Sequence, residues 1–273
     1  MNKTKYFENK IILITGGSSG IGYALAERIV GFHPKAVILL SNQESKLLSS
    51  VENLNKISKG VLIGSIVADI ADSQSVLDGC AKVISDFGVP DIVINNAGYA
   101  HYYLFHEMSY EDIIRHVNVN LIGAMRIVHA LLPSMRAAKS GQIVNVASIA
   151  GHMLILPNLV YSAAKHGMVV WSEGLALELA DDNIFVQTIS PGRVLTDFFQ
   201  HKSFLDRTPG KEMSLTVSME KVVDISINAI IKRKKLVIIP SSFRFVSWML
   251  RAFPFFVKRL YFVLLKKRIA RLR

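Results

Sequence analysis

Seven short apolar runs, spaced by stretches of helical periodicity, constrain this chain more than any other feature. The runs are KIILITG (10–16), KAVILLS (35–41), GVLIGSIVAD (60–69), PDIVINNAG (90–98), GQIVNVASIAG (141–151), IFVQTISPG (184–192) and KLVIIP (235–240). Between the first six lie 19–30, 44–58, 75–87, 110–135 and 161–180, where apolar residues recur every three or four positions. Strands that are apolar throughout, rather than on alternate residues, belong to sheets covered on both faces. Crossovers long enough to be helices join parallel strands. The pattern predicts an α/β fold, a doubly wound parallel sheet with helices on both faces, in one domain of residues 1–240. Residues 241–273 are read as a C-terminal extension. Within the domain, GRVLTDFFQHKSFLDRTPGKEMSLTV (192–217) has no settled period. It follows the end of the sixth run, where ligands of open parallel sheets sit, and reads as a substrate lid.

TGGSSGIG, residues 15–22, closes the first run and opens the first helical segment. Gly16, Gly20 and Gly22 permit a tight turn, close approach of a pyrophosphate and packing of helix on sheet, and the phosphate meets unpaired helix N–H groups. Thr15, Ser18, Ser19 and Ile21 stand with them as candidate cofactor contacts. The spacing is neither the usual G-x-G-x-x-G nor a P-loop, which would carry a lysine. At the end of the second run, Ser41 and Asn42 supply no carboxylate to repel a 2′-phosphate and no arginine to clamp one, with Lys46 one turn further on. That balance favours NADP over NAD. Asp69 and Ile70, at the end of the third run, are candidates for the adenine edge; Asp69 would otherwise cap the next helix.

Further along stand NNAG (95–98), Asn120 in VNVNLIG, Ser148 in VASIAG, YSAAK (161–165) and PG (191–192). In this order, and over residues 10–196, the chain resembles the short-chain dehydrogenase/reductase family. The resemblance implies a Rossmann-type fold, a homo-oligomer (dimer or tetramer), and hydride transfer between a nicotinamide cofactor and a carbonyl or secondary alcohol. It also implies a catalytic set of Asn120, Ser148, Tyr161 and Lys165. Cofactor contacts would come from Asn96, Ala97, Gly98, Tyr161, Lys165, Pro191, Gly192, Val194 and Thr196.

The chemistry is coherent. Tyr161 and Lys165, four apart, share a helix face, and the ammonium, helped by the charge of the oxidised nicotinamide, is expected to draw the phenol's pKa down. Ser148 would hold the substrate oxygen by hydrogen bonding. The resemblance implies a water relay between Asn120 and the lysine, and Asn118, two residues earlier, is expected to point elsewhere. The alternatives are an NAD-dependent dehydrogenase of a smaller hydrophobic alcohol and a non-catalytic nucleotide-binding scaffold. HMLILPNLV (152–160), between Ser148 and Tyr161, offers few polar anchors and favours an apolar, lipid-like substrate. His101, Tyr102 and Tyr103 form a second candidate edge of that pocket. None of the eight histidines has metal-ligand spacing, so no metal is expected, and Cys80 reads as a small buried hydrophobe.

The net charge of +11 is local. Residues 232–273 hold 13 of the basic side chains and no acid, which leaves the rest of the chain at −2 and gives no general attraction for nucleic acid. In FVSWMLRAFPFFVKRLYFVLLKKR (245–268), four cations and Pro254 between 243 and 265 argue against a membrane span. Arg244, Arg251 and Lys258 recur every seven residues and predict an amphipathic helical arrangement, kinked or broken near Pro254. Such a helix suits docking on an anionic membrane surface, packing over the substrate pocket, or contact with another subunit. The first of these points to the family's membrane-associated lipid, steroid and retinol-type reductases. The apolar run before the glycine motif is only four residues, 11–14, short of a signal-peptide core. A cytoplasmic protein is therefore expected, peripheral on the cytosolic face if the tail docks.

Overall fold

The computed structural model describes residues 2–196, 202–205 and 216–270. In chain order the elements are α1 (Lys3–Phe7), β1 (Ile11–Thr15), α2 (Gly20–Val30), β2 (Ala36–Ser41), α3 (Glu44–Ile57), β3 (Leu62–Val67), α4 (Ser73–Phe87) and β4 (Ile92–Asn95). There follow α5 (Tyr110–Val117), a π-helical turn (Asn118–Ile122), α6 (Gly123–Ala137), β5 (Gly141–Val146), α7 (Leu159–Glu178), β6 (Ile184–Pro191) and β7 (Arg193–Val194). The chain continues with α8 (Lys202–Leu205), β8 (Thr216–Val217), α9 (Met219–Ile231), β9 (Leu236–Ile239), α10 (Ser242–Ala252) and α11 (Pro254–Ala270).

All seven expected strands join one parallel sheet in the order β3-β2-β1-β4-β5-β6-β9. Successive side chains of a strand alternate between faces, and both faces are apolar. Ile12 and Ile14 join Leu25 and Ile29 of α2, Leu47 and Leu54 of α3 and Ile227 and Ile230 of α9. Leu13 points the other way, with Val76, Cys80 and Val83 of α4, Ile127 and Leu131 of α6 and Leu175 of α7. This double burial is why the runs carry no polar alternation. Cys80 is 2% exposed, and burial pushes its thiol up to about 12. The chain order reverses direction across the sheet between β1 and β4, so the loops after these strands open the crevice where an α/β sheet binds its ligand.

Two expectations change, and a third falls largely outside the described residues. The single helix over 110–135 is interrupted by the π turn at Asn118–Ile122, a device that apolar periodicity does not register. The lid is described only at 192–196, 202–205 and 216–217; the rest of 192–217 lies outside the described residues. At its base β7 pairs in parallel with β8.

The tail requires the largest correction. Among the described residues no helix is long and apolar enough to cross a membrane, and the reading of a membrane-associated reductase with a surface-docked tail is withdrawn. The expected break near Pro254 is present: α10 ends at Ala252 and α11 starts at Pro254, so the seven-residue spacing of Arg244, Arg251 and Lys258 runs across two helices. On α11 the exposed apolar residues Phe255, Leu260, Phe262, Val263 and Leu264 spread over about 200° of the helix, so the described side chains form no narrow apolar stripe. Inward, Ser247, Leu250 and Leu265 are buried.

Candidate active site

The glycine loop leaves β1 with two residues in the left-handed region, Gly16 (φ +63°) and Gly20 (φ +55°). A Cβ on Gly22 would stand 2.4 Å from the Gly16 carbonyl oxygen, so helix and loop touch there only because residue 22 has no side chain. A Cβ on Gly20 would meet nothing nearer than the Thr196 side chain at 3.6 Å, which leaves a gap between the loop and the start of the lid. Ser19 precedes α2 without a side-chain cap, so the first-turn N–H groups face that gap. These features fit the diphosphate of a dinucleotide.

The loop is held from behind. Thr15 Oγ1 accepts from the N–H groups of Asn96 and Ala97, both at 3.1 Å. Asn96 Nδ2 donates to the carbonyls of Thr15 and Gly16 at 3.1 and 3.2 Å, so this side chain braces the loop rather than facing a ligand. Ile21 packs against the core, while Val194 and Ile70 are buried; these three offer a ligand only their backbone. At the adenosine end Ser18 Oγ donates to Ser41 Oγ at 2.9 Å, and the Ser50 hydroxyl donates to the Ser18 carbonyl at 3.0 Å.

Asp69 does not cap α4; Asp72 does, accepting from Ser75 N–H. Asp69 instead accepts from Ala71 N–H at 2.9 Å and pairs with Arg115 of α5 at 3.0 Å. Burial alone would raise its carboxyl, but these partners and Asn42 outweigh it and hold Asp69 below the ordinary range. The sequence reading missed Arg115, which lies 46 residues from its partner.

On the nicotinamide side, Tyr161 and Lys165 rise from one face of α7, with Lys165 Nζ 5.7 Å from the Tyr161 ring centroid. Nζ also donates to the Val146 carbonyl at 3.0 Å, and burial brings this lysine down to about 8. Ser148 ends the loop after β5 and hydrogen-bonds the Tyr161 hydroxyl. The expected depression of the phenol is absent. Burial pushes Tyr161 up to about 12, and the Ser148 hydrogen bond opposes that only in part.

Asn120 is fully buried in the π turn. Its Nδ2 donates to the carbonyls of Tyr99 (2.8 Å) and His116 (3.0 Å), and its Oδ1 accepts from Tyr99 N–H at 3.2 Å. A Cβ on Gly98 would come within 2.8 Å of Asn120 Oδ1 and 3.5 Å of Lys165 Nζ, so three of the expected residues converge here. Asn118 points away and accepts from Arg126 at 3.3 Å.

Two walls flank Tyr161. Tyr102 N–H donates to Ser203 Oγ of α8 at 2.9 Å, and the rings of Tyr102 and Phe204 stack at 4.9 Å in a cluster against which Tyr161 packs. His101 lies among Tyr99, Tyr103 and His116, its N–H donating to His116 Nε2 at 3.1 Å. The other wall, 152–160, is tied by His152 to Ser190 (2.8 Å) and by Ser162 to Ile155 (3.2 Å). Pro191 pairs with Ile239 of β9, whose carbonyl accepts from Gly192 N–H at 2.6 Å.

A family model described as short chain dehydrogenase matches residues 10–204. The chain belongs to that family. It is an NAD(P)-dependent oxidoreductase acting on a carbonyl or alcohol. The chain is 34% identical over 191 residues to the 3-oxoacyl-[acyl-carrier-protein] reductase FabG of Escherichia coli, covering 70% of this chain and 76% of that protein. A short-chain dehydrogenase from Sphingobium yanoikuyae in complex with NADPH is similar at TM-score 0.78 and 26% identity, over 89% of this chain and 94% of that one. An NAD+-bound xylitol dehydrogenase aligns at TM-score 0.75 and 25% identity, over 85% and 98%. Both cofactors thus occur among similar structures.

Proposed function

We propose that this enzyme is an NADP(H)-dependent reductase of an apolar ketone, with Tyr161 as the proton donor. The observation that carries the reading is the Ser148–Tyr161 hydrogen bond beside the buried Lys165. When bound, the nicotinamide supplies the hydride. The chain's residues manage the oxygen and its proton. Ser148 and Tyr161 place two hydroxyl donors side by side, where a substrate oxygen is held between them. At about 12 the phenol is fully protonated at neutral pH, so it stands loaded for donation. An alkoxide is more basic than a phenolate, and proton transfer to it is downhill. Lys165, at about 8, is a stronger acid than that phenol, so return of a proton to the phenolate from the lysine side is downhill too. Asn120 acts as a positioning residue, pinning the Tyr99 backbone next to Gly98.

NADP(H) is favoured because Ser41 and Asn42 place no carboxylate at the ribose and Asp69 is already paired with Arg115. The apolar substrate rests on the 152–160 wall and the Tyr102–Phe204 pair, and the E. coli relative's name, a reductase of 3-oxoacyl groups, agrees in kind. Homo-oligomerisation is favoured by exposed apolar residues on α7, Val170 and Leu177, with Ile114 on the contacting α5. The test is a panel of ketones and alcohols varied in chain length and ring content, assayed with NADPH and NADH. Tyr161→Phe should lose about 100-fold or more in turnover while binding cofactor normally. Retained turnover in that variant refutes the acid/base role.

A further inference from the structure

The tail reaches the active-site wall. Tyr261 of α11 donates a hydrogen bond to the carbonyl of Leu154, 107 residues earlier in the chain. Leu154 lies in the middle of the segment that begins after Ser148 and ends at Tyr161, with Ile155 tied to Ser162 on one side of it and buried Met153 on the other. The same segment feels α10 at a second point. Burial is the largest cause that lowers His152, to about 4, and the positive charge of Arg251 comes next. Leu250 and Leu265, one from each tail helix, are 6% and 7% exposed, so the tail is seated on the body and Tyr261 is not a stray contact. The tail residues Leu250, Arg251, Tyr261 and Leu265 all lie beyond residue 204, where the match to the family model ends.

We infer that Tyr261 is a positioning residue for substrate selection: through Leu154 the tail sets where the 152–160 wall stands, and hence which ketones fit beside Ser148 and Tyr161. The inference rests on the proposed reductase function. The tail braces the middle of a segment whose two ends carry the chemistry. A displacement of an ångström in such a wall alters substrate fit more than it alters proton transfer. The effect therefore falls on KM and on discrimination between substrates.

The experiment uses the full chain and Tyr261→Phe, with Phe255→Ala as a control because Phe255 is 87% exposed on the same helix. Steady-state constants are taken for ketones of graded bulk, and hydrogen exchange is followed over residues 151–158. Losing one hydrogen bond should change the ratio of kcat/KM between the bulkiest and smallest accepted ketones by about 5-fold, mainly through KM. The KM for the cofactor stays as in the unmodified protein, and the wall's amides exchange faster. An unchanged ratio in Tyr261→Phe overturns the inference and leaves the reductase reading intact. So does an equal change in Phe255→Ala. No turnover of any ketone by the unmodified protein overturns the reductase reading and this inference with it.

Discussion

Replacing Asn120 by Ala separates a positioning role from a chemical one. The side chain is 0% exposed and makes three hydrogen bonds, two to backbone carbonyls and one from a backbone N–H. Each bond contributes about 1 kcal/mol net, and carbonyls left unpaired in the interior add desolvation cost, so the change should remove about 3 kcal/mol of stability. For a chain of this size that lowers Tm by about 6–12 °C. Urea unfolding gives the stability, and titration with NADPH gives the state of the loop around Gly98. The expected result is a lower unfolding midpoint at unchanged m, with weaker cofactor binding. Asn120→Asp retains the acceptor for Tyr99 N–H but turns a carboxylate towards two carbonyl oxygens. It should be destabilised as much at neutral pH and should recover as pH falls, when a protonated carboxyl can donate to one of them. A full-stability Asn120→Ala protein that has lost turnover would refute the positioning argument and make the side chain part of the chemistry.

Lys46→Ala should raise KM for NADPH about 3-fold and leave NADH unaffected, because only the former carries the 2′-phosphate that an exposed cation attracts. Equal effects on both cofactors in steady-state assays would remove Lys46 from the discrimination. His152 makes stability depend on acid pH. Its folded value is about 4 against 6.5 for the free group, first from burial and then from Arg251 and His166. Between these values the unfolded chain binds a proton that the folded chain refuses, so stability falls as pH drops from 6.5 to 4, by about 3 kcal/mol at most. Urea melts at pH 7 and pH 4.5 should show that slope reduced in His152→Gln; an identical slope would count against it.

The sheet was legible because burial on both faces leaves its mark on every residue of β1, β2 and β5, as strings without polar alternation. The convergence of Gly98, Asn120 and Lys165 was legible through motifs, although no local spacing says that Asn120's side chain spends all three of its bonds on backbone. Periodicity failed where the helix geometry itself changes. The π turn keeps the apolar count of a continuous helix, whereas the break at Phe253 was announced by Pro254 and falls where the proline puts it. The sign of the Tyr161 shift was misjudged for another reason: a lysine four residues away is visible in the sequence, whereas the burial that raises the phenol is a property of the packed site. Arg115 with Asp69, Ser203 with Tyr102 and Tyr261 with Leu154 join residues 46, 101 and 107 apart, and nothing near either partner announces the other.

The single cysteine has a practical consequence. Cys80 is sealed under the sheet, and its thiol at about 12 is almost never ionised at neutral pH, so thiol-directed reagents should pass the native protein by. The chain is, in effect, already a blank background for labelling. One cysteine placed at residue 255, on the outer side of α11, would be its only reactive thiol, and a fluorophore there would report directly whether the tail stays seated on the wall during turnover.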